Sequence, residues 1–271
     1  MKQFKGKAIY NPSGKAGEYS QWACNLFTGC SNDCDYCYCK KGVLSSVWSN
    51  KAQLKKCFKN ETHALEIFEK ELKLNLAELQ QYGLFFTFTS DPMLPETRDL
   101  TRKAIEICID NFVRVKILTR RADFFDMLEG KWTALHWSIS TVLKAYIAFG
   151  FTLTGHDELE PGASPNSDRI EAMRTLHDAG FKTWASIEPI VDLESSLSMI
   201  NKTIGFCDLY KIGLMSGKKY DWRELRGFML ACTPLESKFY FKDSFVSQAD
   251  LDRANPPKNC VGRGFDLFNA R

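Results

Sequence analysis

Three cysteines lie close together in one short segment near the start of the chain. Cys30, Cys34 and Cys37 are separated by three and by two residues, and Tyr36 precedes the last of them. Thiolates are the usual ligands of iron–sulfur clusters, and close spacing lets one loop wrap around a cluster. Three thiolates are one fewer than a four-iron cluster usually takes, so one iron ion stays open to another ligand. The spacing therefore predicts a 4Fe-4S cluster at this loop.

Two other interpretations of the three cysteines stay open. A zinc knuckle would use a fourth Cys or His at matching spacing. Cys39 is too close in sequence to be an easy fourth ligand, and the four histidines are scattered along the chain. The other possibility is a set of unconnected thiols.

Composition places the chain among ordinary globular proteins. Of its 271 residues, 44% are hydrophobic and 25% are charged, which is typical of a folded domain in water. No apolar run reaches the roughly 18 residues that cross a bilayer, and the first residues do not resemble a signal peptide. Ten cysteines without a secretion signal indicate a reducing compartment. We therefore expect a cytoplasmic protein without a membrane partner. The net charge of +3 does not require a nucleic-acid partner.

From residue 60 onward, predicted strands alternate with predicted helices. A helix from Asn60 to about Gly83 comes first, and a strand over 21–29 precedes it. This alternation predicts βαβ units with a parallel sheet, and right-handed crossovers curl such a sheet into a partial or complete βα barrel. The later strands are predicted at 84–89, 113–118, 136–141, 182–187 and 209–214.

The positions of the predicted strands and helices divide the chain into three predicted regions. Residues 1–20 are expected to form an N-terminal arm, and residues 21–220 the barrel core. Residues 221–271 are expected to form a C-terminal extension that packs on the barrel.

The cysteine loop resembles the cluster loop of the radical S-adenosylmethionine enzymes. In that family the open iron binds the amino and carboxylate groups of S-adenosyl-L-methionine (SAM). An electron from the reduced cluster then cleaves SAM to methionine and a 5′-deoxyadenosyl radical, which abstracts hydrogen from a substrate. The resemblance implies a parallel βα barrel of the radical SAM type. It also implies both cofactors, the 4Fe-4S cluster and SAM, and an electron donor such as flavodoxin or ferredoxin.

Polar residues at the predicted strand ends are the candidate SAM contacts, because ligands bind there in βα barrels. Ser90 and Asp91 stand where the family bonds the amino group of SAM, and Arg120 can pair with the methionyl carboxylate. Each also has a plainer interpretation as a core hydroxyl, a helix cap or a structural ion pair. The full set of candidates is Tyr36, Tyr38, Ser90, Asp91, Arg120, Ser138, Ser140, Arg169 and Glu188.

One branch of the family fits best. The run Glu160-Pro161-Gly162-Ala163-Ser164-Pro165, followed by Arg169-Ile170-Glu171-Ala172, resembles the segment after the fourth strand in spore photoproduct lyase and its relatives. That lyase carries a hydrogen-donating cysteine just before the Ser-Asp of its second strand. Phe88 stands near that place here. We therefore do not expect thymine-dimer repair by the lyase route.

The expected function is a radical SAM enzyme of lyase or oxidoreductase type. It would abstract hydrogen from an unidentified substrate, either a small metabolite or a macromolecule such as nucleic acid. The main alternative is a non-catalytic iron–sulfur protein that senses redox state or transfers electrons, and a zinc-binding interaction module is a further one. Lysines and arginines at 55–59, 116–121 and 217–219 indicate either an anionic substrate or solvated surfaces.

Overall fold

The computed structural model describes residues 3–46, 48–124 and 143–269. It divides into two compact units. The first comprises Met1–Ala148 and Glu160–Ser164, and the second comprises Phe149–Leu159 and Pro165–Arg271. The domain boundaries predicted from the sequence stay a prediction.

Short strands build the sheet of the first unit. Those described are β1 (Ile9–Tyr10), β2 (Ala23–Cys24), β3 (Phe27–Thr28), β4 (Gln53–Leu54), β5 (Leu84–Phe86) and β6 (Val115–Thr119). The order in the sheet is β1-β2-β5-β6, with β2, β5 and β6 parallel and β1 antiparallel to β2. β3 and β4 form a separate antiparallel pair. The predicted first strand over 21–29 is therefore two short strands that pair with different neighbours.

Helices cover this sheet with apolar side chains. Phe68, Leu72 and Leu79 are fully buried, as the 3–4 spacing of apolar residues predicts. The Asn60 side chain accepts a hydrogen bond of 2.9 Å from the backbone N–H of His63 and so caps one helix. The helices are α1 (Gly14–Gly17), α2 (Glu61–Leu74), α3 (Leu76–Tyr82) and α4 (Arg98–Asp110).

One carboxylate on α2 holds the N-terminal strand. Glu71 accepts hydrogen bonds from the backbone N–H groups of Lys7, Ala8 and Ile9, at 2.6, 2.9 and 2.8 Å. Charge-assisted bonds of this kind are stronger than neutral ones. The N-terminal residues are thereby fixed to the first unit.

The second unit continues the alternation of strands and helices. Its elements are β7 (Ile147–Thr152, which begins in the first unit), α5 (Asn166–Asp178), β8 (Lys182–Ile190), α6 (Leu193–Thr203), β9 (Leu209–Leu214), α7 (Trp222–Cys232), β10 (Lys238–Phe241) and α8 (Asp243–Gln248). The strands follow the order β7-β8-β9-β10, and β8, β9 and β10 are parallel. Trp184, Tyr210 and Phe239 are buried in the core of this unit.

The predicted elements differ from the structure at two further places. The strand β7 at 147–152 falls in a stretch that was predicted to be irregular. The strand predicted at 136–141 lies outside the described residues and stays a prediction. The single helix predicted from Asn60 to Gly83 is interrupted at Asn75. In the described parts of the chain, no helix has the length and apolar character needed to cross a membrane.

Candidate active site at the cysteine loop

The cysteine loop follows β3 and consists of tight turns. The backbone N–H of Cys37 donates to the carbonyl of Cys34, and that of Lys40 donates to the carbonyl of Cys37, both at 3.1 Å. Gly29 begins the loop with φ +82°, and a Cβ there would lie 2.3 Å from the carbonyl oxygen of Lys51. Only glycine tolerates both the backbone angle and this close approach.

Burial and one positive charge set the protonation of the three thiols. Burial raises the pKa of Cys30 to about 12 and also raises the pKa of Cys34. The pKa of Cys37 is lowered to about 6, mainly because the Cys39 thiol donates a hydrogen bond to it. The Arg120 guanidinium lowers the pKa of all three thiols. A thiol must lose its proton to bind iron, so Arg120 favours the ligand form of each.

The donor set fits a four-iron cluster in its chemistry. Within the described ranges, no three Cys, His, Asp or Glu side chains are arranged to hold a single metal ion. The thiolates of a four-iron cluster each bind a different iron ion, so they need not converge on one point. Cys30, Cys34 and Cys37 belong to one loop and influence one another's pKa. They are the residues that would hold the cluster.

Asp91 joins the cysteine loop to the ends of β5 and β6. One carboxylate oxygen accepts from Asn32 Nδ2 and from the backbone N–H of Arg120, each at 2.7 Å. The other accepts from the Thr119 hydroxyl at 2.6 Å and from the backbone N–H of Met93 at 2.9 Å. A carboxylate has about four lone-pair sites, and here four donors occupy them. The predicted contact of Asp91 with the amino group of SAM stays a prediction, and in the structure its buried carboxylate fixes three segments together.

A second buried cluster brings together Tyr36, Arg120 and Glu160. Arg120 Nε lies 3.1 Å from Glu160 Oε1 and 3.2 Å from the Tyr36 hydroxyl, which in turn donates to Glu160. The guanidinium also lies 5.5 Å from the centre of the Tyr36 ring. The Glu160 side chain is fully buried, whereas a quarter of the Arg120 side chain is exposed. Among the described residues, the two terminal nitrogens of Arg120 have no hydrogen-bond partner.

Residues 160–164 pack directly on the cysteine loop. The backbone N–H of Gly162 donates to the carbonyl of Asn32 at 3.0 Å, and a Cβ at Gly162 would lie 2.0 Å from the carbonyl oxygen of Ser31. The Arg121 side chain donates to the carbonyl of Gly162 at 2.6 Å. The backbone N–H of Ser164 donates to the carbonyl of Arg120 at 3.0 Å. Residues 160–164 thus tie the loop to the end of β6.

Two buried polar atoms beside this framework lack partners. Ser90 Oγ and Asn32 Oδ1 have no hydrogen-bond partner within the described part of the chain. Buried polar atoms are nearly always paired with protein or with a bound molecule. Ser90 follows β5 and adjoins Asp91, so its hydroxyl is a candidate for a ligand contact.

Two side chains at the end of the cysteine loop form hydrogen bonds with the backbone carbonyl of Phe88. The Tyr38 hydroxyl donates to it, and the Cys39 thiol lies 3.6 Å from it. The Phe88 ring stacks on Phe85, with ring centres 4.4 Å apart. Phe88 therefore belongs to an aromatic pair beside the end of the cysteine loop.

Two of the other predicted contacts belong to the second unit, and two lie outside the described residues. Arg169 is fully buried in the second unit and donates to the carbonyl of Thr152 at 2.6 Å. Glu188, also in the second unit, pairs with Lys242 at 2.7 Å. Ser138 and Ser140 lie outside the described residues. The roles of these four residues at the SAM site stay predictions.

Sequence reasoning missed the partners that organise the site. Asn32, Thr119 and Glu160 were not predicted as site residues, although each is buried and bonded to one that was. Glu160 stood in the run that resembles the lyase branch, and Asn32 lies between two cysteines. Those positions were the available signals.

Comparisons with known sequences give distant relatives, and no family model matches the chain. An uncharacterized protein of Methanocaldococcus jannaschii is 25% identical over 214 residues, which cover 77% of this chain and 74% of that protein. A glutamate–tRNA ligase of Clostridium botulinum is 26% identical over 259 residues, which cover 90% of this chain and 48% of the ligase. The chain spans about half the length of that ligase.

Comparison with solved structures identifies the fold. A mutant of spore photoproduct lyase with bound AdoMet and dinucleoside spore photoproduct is similar with a TM-score of 0.55 and 17% identity, over 83% of this chain and 64% of the lyase. A second structure of the lyase, complexed with dinucleoside spore photoproduct, gives a TM-score of 0.52 and 17% identity, over 93% and 65%. The fold is that of the radical SAM enzymes, an α/β fold with the mostly parallel strands of a partial βα barrel. The predicted fold class is confirmed.

Proposed function

We propose that this chain is a radical SAM enzyme that binds a 4Fe-4S cluster through Cys30, Cys34 and Cys37 and binds SAM beside it. One observation carries the proposal. A buried framework centred on Asp91 fixes the cysteine loop to two strand ends, and two unpaired polar atoms, Ser90 Oγ and Asn32 Oδ1, remain beside it. When bound, the cluster and SAM together supply a 5′-deoxyadenosyl radical for hydrogen abstraction.

Arg120 and Ser90 are the residues that would orient SAM. Arg120 Nε donates a hydrogen bond to Glu160. The two terminal nitrogens of the guanidinium group are therefore left to pair with a carboxylate. Burial lowers the pKa of Arg120, but Tyr36, Cys34 and Glu160 together hold it well above its usual range. The side chain therefore stays positive. The unpaired Ser90 hydroxyl is the acceptor left for the amino group, while Asp91 acts as a positioning residue.

The fold comparison supports the cofactor more than the substrate. The lyase with this fold was solved with bound AdoMet and with a dinucleoside spore photoproduct. Phe88 and Phe85 stack near the place of the lyase cysteine, so we propose a different hydrogen-abstraction reaction on another substrate, either a small metabolite or a macromolecule. Strand ends with unpaired polar atoms favour an enzyme over a non-catalytic iron–sulfur protein.

The test is cleavage of SAM by the reconstituted protein. We expect the dithionite-reduced wild type to form 5′-deoxyadenosine slowly without substrate, as detected by chromatography. Arg120→Lys keeps the charge but loses the paired donors. We expect it to raise the KM for SAM by about 10- to 100-fold, since a charge-assisted bond is worth roughly 1.5–3 kcal/mol.

A matched control separates binding from stability. Arg102→Lys changes an arginine on α4 that pairs with Glu106, and it should leave both the cluster content and the KM unchanged. No 5′-deoxyadenosine above an untreated control, from protein with an intact cluster, would favour the sensor alternative.

A further inference from the structure

The segment after the cysteine loop is strongly basic. Residues 40–59, here called the lysine segment, contain six lysines and no aspartate or glutamate. Like charges held so close repel one another, so the segment produces a local positive potential. Four of its lysines are exposed, namely Lys41, Lys51, Lys56 and Lys59.

The lysine segment is bonded directly to the first predicted cluster ligand. The backbone N–H of Cys30 donates to the carbonyl of Ser49 at 3.0 Å, and the backbone N–H of Lys55 donates to that of Leu26 at 2.9 Å. Between these bonds, β3 pairs with β4, with Thr28 opposite Gln53. These bonds fix residues 49–55 of the lysine segment, with the exposed Lys51 among them, beside the residues that lead to Cys30.

Few acids compensate this charge. Lys40 pairs with Asp33 on the cysteine loop at 2.6 Å, and the Lys55 ammonium donates to the carbonyl of Lys7. Asp35 on the same loop is exposed. The four exposed lysines form no ion pair with any residue that the structure describes. They remain available to a partner.

We propose that the exposed face of the lysine segment docks an acidic one-electron donor protein beside the cluster. This inference rests on the proposed function, because reductive cleavage of SAM consumes one electron that must come from outside the chain. The donor loses one electron and the cluster gains it. Complementary charge steers such encounters and raises their rates.

The position of the surface favours an electron donor over nucleic acid. An electron donor must come close to the cluster, and the lysine segment is hydrogen-bonded to Cys30 itself. Binding of nucleic acid would require positive charge but not this attachment to a cluster ligand.

Charge reversal tests the docking surface. The docking variant carries Lys41→Glu, Lys51→Glu, Lys56→Glu and Lys59→Glu. The control variant makes the same change of net charge at exposed lysines elsewhere, with Lys70→Glu, Lys103→Glu, Lys219→Glu and Lys258→Glu. The probe is a reduced flavodoxin of high negative charge. Its Kd for each protein, and its rate of cluster reduction, are measured without oxygen at low and high salt.

The docking variant should lose the electrostatic part of the encounter. We expect its rate of reduction by flavodoxin to fall by about 10-fold or more at low salt, with a matching rise in Kd and a weak salt dependence. The control variant should stay within about 2-fold of the wild type, since its four lysines lie outside the lysine segment. Cleavage of SAM with dithionite should be unchanged in both variants.

Three outcomes would overturn the inference. Equal losses in both variants would show an effect of net charge alone, and unchanged binding and rate in the docking variant would show no docking there. Loss of binding to a DNA oligonucleotide, with reduction by flavodoxin unchanged, would assign the surface to nucleic acid. If dithionite-driven cleavage is absent from the wild type, the proposed function fails, whereas the Kd for flavodoxin still tests the docking surface separately.

Discussion

Replacement of any one of Cys30, Cys34 and Cys37 by alanine is expected to remove nearly all of the cluster and all cleavage of SAM. Each thiolate would bind its own iron ion, and the loop contributes three ligands where four are usual. A site already one ligand short has little capacity to lose another. The measurements are iron and sulfide per chain after reconstitution without oxygen, with Mössbauer spectra to identify the cluster type.

Two other cysteines give matched controls for this prediction. Cys57→Ala changes an exposed thiol in the lysine segment, and Cys108→Ala changes a buried thiol on α4. Both should keep most of the iron, because neither belongs to the predicted ligand set. Full cluster loading after loss of Cys30, Cys34 or Cys37 would contradict the assignment, as would loss of the cluster in Cys57→Ala.

Asp91→Asn is expected to destabilise the fold and to weaken the cluster site. The amide has nearly the same shape as the carboxylate, but one of its two ends donates instead of accepting. In either orientation, two of the four buried donors that now face Asp91 lose their acceptor. Hydrogen bonds to a charged group contribute roughly 1.5–3 kcal/mol each, so the free energy of unfolding should fall by about 3–6 kcal/mol.

Denaturant unfolding of the cluster-free protein measures this loss, and iron content after reconstitution measures the effect on the site. Asp99→Asn is the control, because Asp99 is an exposed carboxylate in the first turn of α4 and should contribute less than about 1 kcal/mol. If the Asp91→Asn protein has the same free energy of unfolding as the wild type and binds a full cluster, Asp91 does not organise the loop.

Local patterns predicted the elements of the fold where local interactions decide them. Apolar spacing identified α2, α4 and the later βα units, since burial of one face requires that spacing. The interruption at Asn75 was missed because it depends on a local competitor. The Asn75 side chain donates to the carbonyl of Glu71 at 2.8 Å, a bond that competes with continued helix.

The site was predictable only in part, because its key contacts are distant in sequence. Cysteine spacing identified the loop directly. Asn32 and Asp91 are 59 residues apart, and Tyr36 and Glu160 are 124 apart. Strand order and register create these contacts, and no local pattern carries that information. Asp91 was therefore selected for its place at a strand end, but its role as the centre of a buried framework needed the structure.

The central claim is that SAM binds the open iron of a cluster held by three cysteines. The most direct test is the electron paramagnetic resonance spectrum of the reduced, reconstituted protein, recorded with and without SAM. Binding of the amino and carboxylate groups to one iron ion changes the ligand field of the cluster. The account predicts a clear change in g values when SAM is added. An intact 4Fe-4S signal that saturating SAM leaves unchanged would contradict it.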